Sequence, residues 1–222
     1  MALSEVQRSI IAALAASPLS KKFYWTGGTL LAEKYLQHRH SYDVDLFTDT
    51  PVQYEEIISF VRAVKEKADI KVIEEQKVHS RWEFFLHNHR DVRFEFVHYD
   101  FPALHTRKRW KGVLVDSLDD LAANKTMAVV ERHAPKDAVD IYFLITQKKY
   151  TLDTLLACAK KKFGLALDPS SLIGEILLAC RNLHEIQAML LGSSKERQQT
   201  LERIHDYFKN LSADFLHRAW ME

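Results

Sequence analysis

The spacing of apolar and polar residues changes character once along the chain, near residue 116. Before that point, alternating or short apolar runs predict strands at 22–26, 43–47, 70–78, 82–87, 92–98 and 112–115, with helices at 4–16, 29–36 and 51–68. After it, helical spacing predicts helices at 118–132, 136–147, 151–163, 170–187 and 195–220. The pattern therefore predicts an α/β half over residues 1–116 and a helical half over residues 117–222.

Two aspartates, Asp43 and Asp45, lie in the predicted strand at 43–47. Residues i and i+2 of a strand point to the same face, so we expect both carboxylates to converge there. Neighbouring carboxylates repel each other, and Mg²⁺ is commonly held by one or two carboxylates together with substrate phosphates. The pair therefore indicates a Mg²⁺ site, although two solvated acids on a strand edge would produce the same short pattern.

The segment Gly27-Gly28-Thr29 joins a predicted strand to a predicted helix upstream of these aspartates. Glycine allows close approach of the backbone, and a helix N-terminus offers free N–H groups to a phosphate. A tight strand-to-helix turn with no ligand is the alternative. The position ahead of the paired acids favours phosphate binding, and Arg39, just before the same strand, is a further candidate for contact with substrate phosphates.

A third acid, Glu95, is embedded in the apolar strand predicted at 92–98. A carboxylate in such a strand is costly unless a partner or a metal holds it. Arg93 is one candidate partner. We expect Glu95 to be instead the third ligand of a two-metal site and the general base, with Asp91 and Asp100 as alternatives.

Two pairs of charged residues mark the first helices of the second half. Lys125 and Arg132 are seven residues apart on one helix face, and Asp137 and Asp140 share a face of the next helix. The cations can meet the charge of a triphosphate, while the acids can hold the cations or contact substrate. An ordinary ion-pair network between adjacent helices explains the same pattern.

Composition adds few constraints. The net charge of +1 gives no protein-wide field for a polynucleotide, so such contacts need a local patch. The densest basic run, residues 105–111, either grips RNA with Trp110 stacked on a base or is a solvated loop anchored by Trp110. No apolar run approaches the roughly 20 residues that span a bilayer, and residues 10–16 suit a packed helix better than a signal peptide. We expect a cytoplasmic protein without a membrane partner.

These motifs together resemble the AbiEii/AbiGii nucleotidyltransferase family, a branch of the DNA polymerase β-like nucleotidyltransferase superfamily. The resemblance rests on Gly27-Gly28-Thr29, on the stretch from His38 to Phe47, on Leu121-Ala122-Ala123-Asn124-Lys125, and on Arg132 with the stretch from Lys136 to Leu144. It implies an α+β fold with a nucleotidyltransferase catalytic domain over 1–116, built on a mixed β-sheet flanked by helices. An all-helical domain over 117–222 is then expected to complete the nucleotide cleft.

The resemblance also implies an activity. The expected reaction moves a nucleoside monophosphate from an NTP to an acceptor hydroxyl with two Mg²⁺ ions, and tRNA or another RNA is a candidate acceptor. The expected role is that of a toxin from an abortive-infection or toxin–antitoxin system, with an antitoxin that acts without forming a stable complex.

By the same resemblance, Asp43, Asp45 and Glu95 are the catalytic and metal-binding residues, while Gly27, Gly28, Thr29, Lys125, Asp137 and Asp140 belong to the nucleotide site. Two positions depart from the superfamily pattern: Thr29 replaces the usual Ser, and Glu95 replaces a frequent Asp. The roles of Arg132, Lys136 and the basic run at 105–111 stay open. Two alternative functions also stay open, namely a degenerate fold that binds a nucleotide or a protein partner, and a phosphotransferase acting on a protein or small molecule.

Overall fold

The computed structural model of the chain describes residues 3–67, 70, 72–78, 81–87 and 92–219. The chain divides into two units, Met1–Leu121 and Ala122–Glu222. The first unit carries every described strand, and the second is helical. The mixed sheet with flanking helices and the helical second half confirm the predicted fold class.

The first unit is built on a seven-stranded sheet with the order β3-β4-β5-β2-β1-β7-β6. Its strands are β1 (Tyr24–Thr26), β2 (Asp43–Thr48), β3 (Val72–Val78), β4 (Arg81–His87), β5 (Val92–His98), β6 (Lys108–Trp110) and β7 (Val113–Val115). Strand β2 runs parallel to β5 and antiparallel to β1, whereas β1 runs parallel to β7. The starts of β2 and β5 therefore share one edge of the sheet with the ends of β1 and β7.

The helices of the first unit are α1 (Glu5–Ala16), α2 (Gly27–Leu30), which continues as a π-helix (Leu31–Leu36), and α3 (Tyr54–Lys67), with a 3₁₀ turn at Pro18–Lys21. The second half contains α4 (Leu118–Arg132), α5 (Pro135–Lys148), α6 (Leu152–Phe163), α7 (Pro169–Cys180), a 3₁₀ segment (Leu183–Met189) and α8 (Ser194–Ala219). Helix α1 begins at a capping box, in which Ser4 and Gln7 satisfy each other's backbone N–H groups.

The sheet has one apolar and one polar face around β2 and β5. Val44, Leu46 and Phe96 are fully buried, and the ring of Phe60 from α3 meets Phe96 edge to face with centroids 5.6 Å apart. Since side chains alternate along a strand, this packing directs the intervening residues Asp45 and Glu95 to the other face. The core of the first unit thus fixes which way the acids point.

The strand β6 was not predicted from the sequence. Lys108, Arg109 and Trp110 have no apolar alternation because β6 is an edge strand, so only Trp110 packs inward, stacking on Trp25. A two-residue turn joins β6 to β7, and both Lys111 and Gly112 have positive φ. Positive φ at both central residues is typical of type I′ hairpins.

The single helix predicted at 170–187 is wrong. Helix α7 ends at Cys180, and a separate 3₁₀ segment follows at Leu183–Met189. Leu183 and Ile186 of that segment are buried, so their spacing mimics the period of a longer α-helix.

Candidate active site

The acids of the predicted site lie on neighbouring strands in matched register. Strand β2 pairs with β5 so that Asp43 is opposite Arg93 and Asp45 is opposite Glu95. Glu95 is almost fully buried, whereas Asp43 and Asp45 are partly exposed. The structure therefore brings Asp43, Asp45 and Glu95 to one face of the sheet.

Glu95 is electrostatically the most unusual group of this cluster. Burial, the charge of Asp45 and a hydrogen bond with Asp45 raise the pKa of Glu95 to about 8, although the guanidinium groups of Arg81 and Arg93 act in the opposite direction. Its Oε2 atom is buried and has no hydrogen-bond partner among the described residues. The two guanidinium groups lie 3.6 and 3.9 Å from that atom.

Arg93 is the cation that holds the cluster together. Its Nη2 lies 3.0 Å from Asp43 Oδ2, and its Nη1 lies 3.0 Å from Glu83 Oε1. Burial lowers the pKa of the guanidinium, but the charges of Asp43 and Glu95 outweigh that effect, so the pKa is raised overall. Arg93 thus pairs with Asp43 and Glu83 more closely than with Glu95, the partner that the sequence suggested.

Glu83 is a member of this cluster that the sequence analysis missed. It lies on β4 directly opposite Glu95, and it is buried. An acid between the aromatic residues Trp82 and Phe84 is the same kind of signal that identified Glu95. The clue was present, but only the pairing of β4 with β5 gives it meaning.

The glycine segment packs closely against one of the aspartates. Gly27 has a φ of +76°, and a Cβ placed on it would lie 1.6 Å from Asp45 Oδ2. Gly28 follows in the first turn of α2, and the hydroxyl of Thr29 donates a hydrogen bond to the backbone oxygen of Asp43. Gly27 and Thr29 therefore fix the position of β2, and the Thr29 hydroxyl is engaged with the backbone.

Replacing Gly27 by alanine is expected to displace Asp45 and to destabilise the first unit. The substitution adds a steric overlap to an unfavourable positive φ, which together cost about 2–3 kcal/mol. Chemical denaturation and a transfer assay on the same sample measure both effects. Gly164→Ala is the matched control, because Gly164 also has a positive φ but nothing lies within 4 Å of an added Cβ. A wild-type transfer rate in Gly27→Ala would contradict the close contact between Gly27 and Asp45.

The remaining candidates of the first unit lie apart from this arrangement or are enclosed. Arg39 is 1% exposed, and its Nη1 donates to the backbone oxygen of His40. Asp100 follows the far end of β5 and is exposed. Asp91 lies outside the described residues. Glu95 is therefore the candidate third acid that the described residues bring to Asp45.

The charged residues of the second unit form a buried cluster. Lys125 Nζ lies 2.8 Å from Asp137 Oδ1 and 2.7 Å from Asp140 Oδ2, and both aspartates are fully buried. Arg132, which is half-exposed, donates to both oxygens of Asp137. Burial acts to raise the pKa of Asp137, but Lys125 and Arg132 hold it below the usual value. The two aspartates thus hold the cations, which was one of the two roles considered for them.

Most side chains of the basic run at 105–111 make contacts within the first unit. Arg107 lies over the ring of Tyr24 and pairs with Asp49 and with the buried Asp116. Trp110 packs on Trp25, as expected for an anchor to the core. Within the run, Lys108 stays exposed.

No three His, Cys, Asp or Glu side chains among the described residues are arranged closely enough to hold a metal ion. The guanidinium of Arg93 explains this at the acid cluster, because it is bound to Asp43 while Asp45 and Glu95 bond to each other. An ion bound by the three carboxylates would compete with Arg93 for the charge of Asp43.

The model of one protein family, the AbiEii nucleotidyl transferase toxins of type IV toxin–antitoxin systems, matches residues 9–211. The chain belongs to this family. It is therefore a nucleotidyltransferase, and the predicted resemblance is confirmed.

Two individual proteins show the extent of the similarity. The uncharacterised protein aq_aa25 of Aquifex aeolicus (strain VF5) is 27% identical over 163 residues, which cover 72% of this chain and 76% of that protein. The crystal structure of JHP933 from Helicobacter pylori matches with a TM-score of 0.61 at 19% identity, covering 99% of this chain and 100% of that one. The second match shows a shared fold. Within the described ranges, no helix combines the length and apolar character that a membrane span requires.

Proposed function

We propose that the chain transfers a nucleoside monophosphate from an NTP to an acceptor hydroxyl in a Mg²⁺-dependent reaction centred on Asp43, Asp45 and Glu95. The observation that carries this proposal is the register between β2 and β5, which pairs Asp45 with Glu95 on the face that also bears Asp43. Family membership supports the class of reaction. We further propose that residues 1–116 form the catalytic domain and residues 117–222 a helical domain.

The residues of the cluster fit a divalent cation. Carboxylate oxygens are the donors that Mg²⁺ prefers, and the buried Glu95 Oε2 has no hydrogen-bond partner among the described side chains and backbone groups. Asp43 and Asp45 would hold both of two Mg²⁺ ions, and Glu95 would hold one of them. When bound, the ions would neutralise charge on the phosphates and favour in-line displacement.

The protein's own groups have distinct tasks in this proposal. Glu95 accepts the proton of the acceptor hydroxyl, whose oxygen forms a bond to the α-phosphorus as the bond to the β-phosphate oxygen breaks and pyrophosphate leaves. Asp43 and Asp45 position the reacting phosphate. Such catalysis depends mainly on positioning and charge, which suits a site built on two central strands.

Two sets of residues are assigned to the nucleotide. We assign the backbone N–H groups of Gly27, Gly28 and Thr29 to the triphosphate. Lys125 is assigned to the same triphosphate, with Asp137 and Asp140 fixing its position, and Arg39 is assigned to a phosphate contact. The acceptor is a hydroxyl on RNA, with tRNA as the first candidate, and the biological role is that of a toxin countered by an antitoxin without a stable complex.

Replacing Arg93 by glutamine is expected to tighten metal binding to the nucleotide-free protein about five- to tenfold. The substitution removes the cation that competes for Asp43, and a partly buried ion pair is worth about 1 kcal/mol. Calorimetric titration with Mn²⁺ measures the change. Arg109→Gln is the control, because it removes the same charge from an exposed side chain that donates to the backbone oxygen of Gly112. Unchanged or weaker binding in Arg93→Gln would exclude Asp43 as a ligand.

The activity itself is tested with purified protein, Mg²⁺, total RNA and each NTP in turn, labelled with ³²P at the α- or the γ-phosphate. We expect label on RNA from one or more α-labelled NTPs and none from γ-labelled NTPs. Transfer of γ-label would instead identify a phosphotransferase. Absence of transfer from every NTP, with Mg²⁺–NTP binding retained in calorimetry, would identify a binding module.

A further inference from the structure

A cavity beside the acid cluster has no task in the proposed reaction. Its volume is about 420 Å³, within the range of small-molecule sites. Its lining is contributed by the π-helix after α2, by the region of β6, and by the junction of β7 with α4: Lys34, Tyr35, His105, Thr106, Lys108, Val115, Asp116, Ser117 and Leu118. The cavity lies entirely within the first unit.

Two lysines give this cavity its chemical character. Neither Lys34 nor Lys108 forms an ion pair with a carboxylate in the part of the chain that the structure describes, unlike Lys111, which binds Glu33 at 2.7 Å. Lys34 Nζ lies over the rings of Tyr35 and Trp110, and burial lowers its pKa. A desolvated ammonium group without a carboxylate is a favourable partner for an incoming anion.

The remaining groups of the cavity suit a ring attached to the anion. The N-terminus of α4 already carries Asp119 and Asp120 in its first turn, so the two lysines are the groups that would hold the anion. Val115, Leu118 and the ring of Tyr35 supply apolar surface. A phosphate with a ribose and a base combines the charge and the apolar area that this lining matches.

The cavity and the acids share one edge of the sheet. The buried Asp116 at the cavity wall accepts a hydrogen bond from Thr26 Oγ1 at 2.6 Å, and the next residue, Gly27, seats Asp45. Strands β2 and β7 flank β1, so two inter-strand spacings of about 4.8 Å place their ends about 10 Å apart. A chain of nucleotides can bridge that distance, so a strand bound in the cavity near its end can present its terminal hydroxyl to the acids.

We propose that this cavity is the acceptor-strand site: it binds a nucleotide unit close to the end of a single-stranded polynucleotide, with phosphates on Lys34 and Lys108. The assignment rests on the proposed nucleotidyl transfer to RNA and adds the place where the acceptor strand binds. It also supplies the local basic patch that a chain with a net charge of +1 needs for nucleic acid.

The test is equilibrium binding of a fluorescein-labelled single-stranded RNA of about ten nucleotides, followed by anisotropy in Mg²⁺-free buffer at several salt concentrations. The variant Lys34→Gln/Lys108→Gln is expected to bind about tenfold more weakly, and its slope of log K against log salt should fall by about 1.4, since each phosphate contact on a single strand contributes about 0.7. The matched control is Lys160→Gln/Lys161→Gln on α6, which removes the same charge from an exposed helix end and should bind like the wild type.

A second measurement separates acceptor from donor. Calorimetric binding of Mg²⁺–NTP to the Lys34→Gln/Lys108→Gln variant should match the wild type. Equal loss of NTP affinity would overturn the inference, because the cavity would then hold the donor. Two further results would overturn the inference and leave nucleotidyl transfer itself standing. One is RNA binding that is unchanged in this variant. The other is a wild type that labels only a protein or small molecule and does not bind the RNA. A wild type that binds RNA through these lysines but transfers no nucleotide from any NTP would overturn the proposed function alone.

Discussion

Asp45→Asn is expected to reduce nucleotidyl transfer by about 10³-fold or more, without loss of the fold. The amide preserves the shape that packs against Gly27 but removes the charge needed to hold a cation against the substrate phosphates. The measurement is single-turnover transfer of α-³²P label at saturating Mg²⁺ and NTP, with circular dichroism on the same protein. Asp43→Asn is expected to behave in the same way.

The same variant has a predicted effect on stability in the absence of metal. The folded-state pKa of Glu95 is raised to about 8, above its ordinary value, so the wild type loses stability as the pH rises from about 4.5 to about 8. Asp45→Asn removes one cause of that shift, so thermal unfolding should show a smaller loss over this pH window. An unfolding temperature that falls more steeply than that of the wild type would contradict the coupling between Asp45 and Glu95.

The matched control is Asp100→Asn, which changes an exposed acid beyond the far end of β5. It should retain the wild-type rate. A loss in Asp100→Asn equal to that in Asp45→Asn would mean that the acid cluster is misassigned. Turnover that survives in both Asp43→Asn and Asp45→Asn would exclude these strand acids from the chemistry.

Local sequence was enough to find the acids but not their partners. The spacing of Asp43 and Asp45 and the cost of an acid in the strand of Glu95 are properties of single strands, which can be seen without a fold. The pairing of β2 with β5 joins segments about 50 residues apart in sequence, and periodicity carries no information on it. The role of Arg93 as the partner of Asp43 follows only from that pairing, and the presence of Glu83 in the cluster follows only from the pairing of β4 with β5.

For the glycine segment, too, the sequence indicated one part of its role and the structure shows another. The sequence indicated that Gly27 allows close backbone approach, but it suggested a phosphate as the approaching group. The structure adds a second reason for glycine, since Asp45 occupies the space that a side chain would fill. At Trp110 the sequence left two roles open, and its stacking on Trp25 depends on an edge strand too polar to be recognised by its pattern.

Replacing Lys125 by methionine is expected to destabilise the second unit by about 3–5 kcal/mol. Methionine fills similar space but leaves Asp137 and Asp140, both fully buried, with the half-exposed Arg132 as the remaining cation of the described cluster. Breaking a buried ion cluster by removal of one partner costs more than the pair itself contributes, because charges stay buried without compensation. Urea denaturation followed by circular dichroism measures the loss.

The pH dependence of this variant should have the opposite sign from that of the wild type. In the wild type the pKa of Asp137 is lowered, so its contribution to stability is present above its ordinary value of 3.8 and is lost in acid. Without Lys125, burial becomes the dominant influence on Asp137 and raises the pKa of its carboxyl group. The variant should therefore gain stability relative to the wild type as the pH falls from about 7 to about 4. Arg132→Met is the control, and because Lys125 still neutralises both aspartates it should cost only about 1–2 kcal/mol.

A double variant decides between a structural and a direct role for Lys125. Lys125→Met/Asp140→Asn removes one of the two buried aspartate charges that Lys125→Met leaves without its lysine partner. It should recover at least about 1 kcal/mol of the lost free energy of unfolding. If Lys125 also contacts the triphosphate, transfer by the double variant should stay low with a raised KM for NTP, even where the protein is fully folded. Recovery of both stability and KM would assign Lys125 to the packing of α4 against α5 alone. A Lys125→Met protein as stable as the wild type would instead contradict the buried cluster.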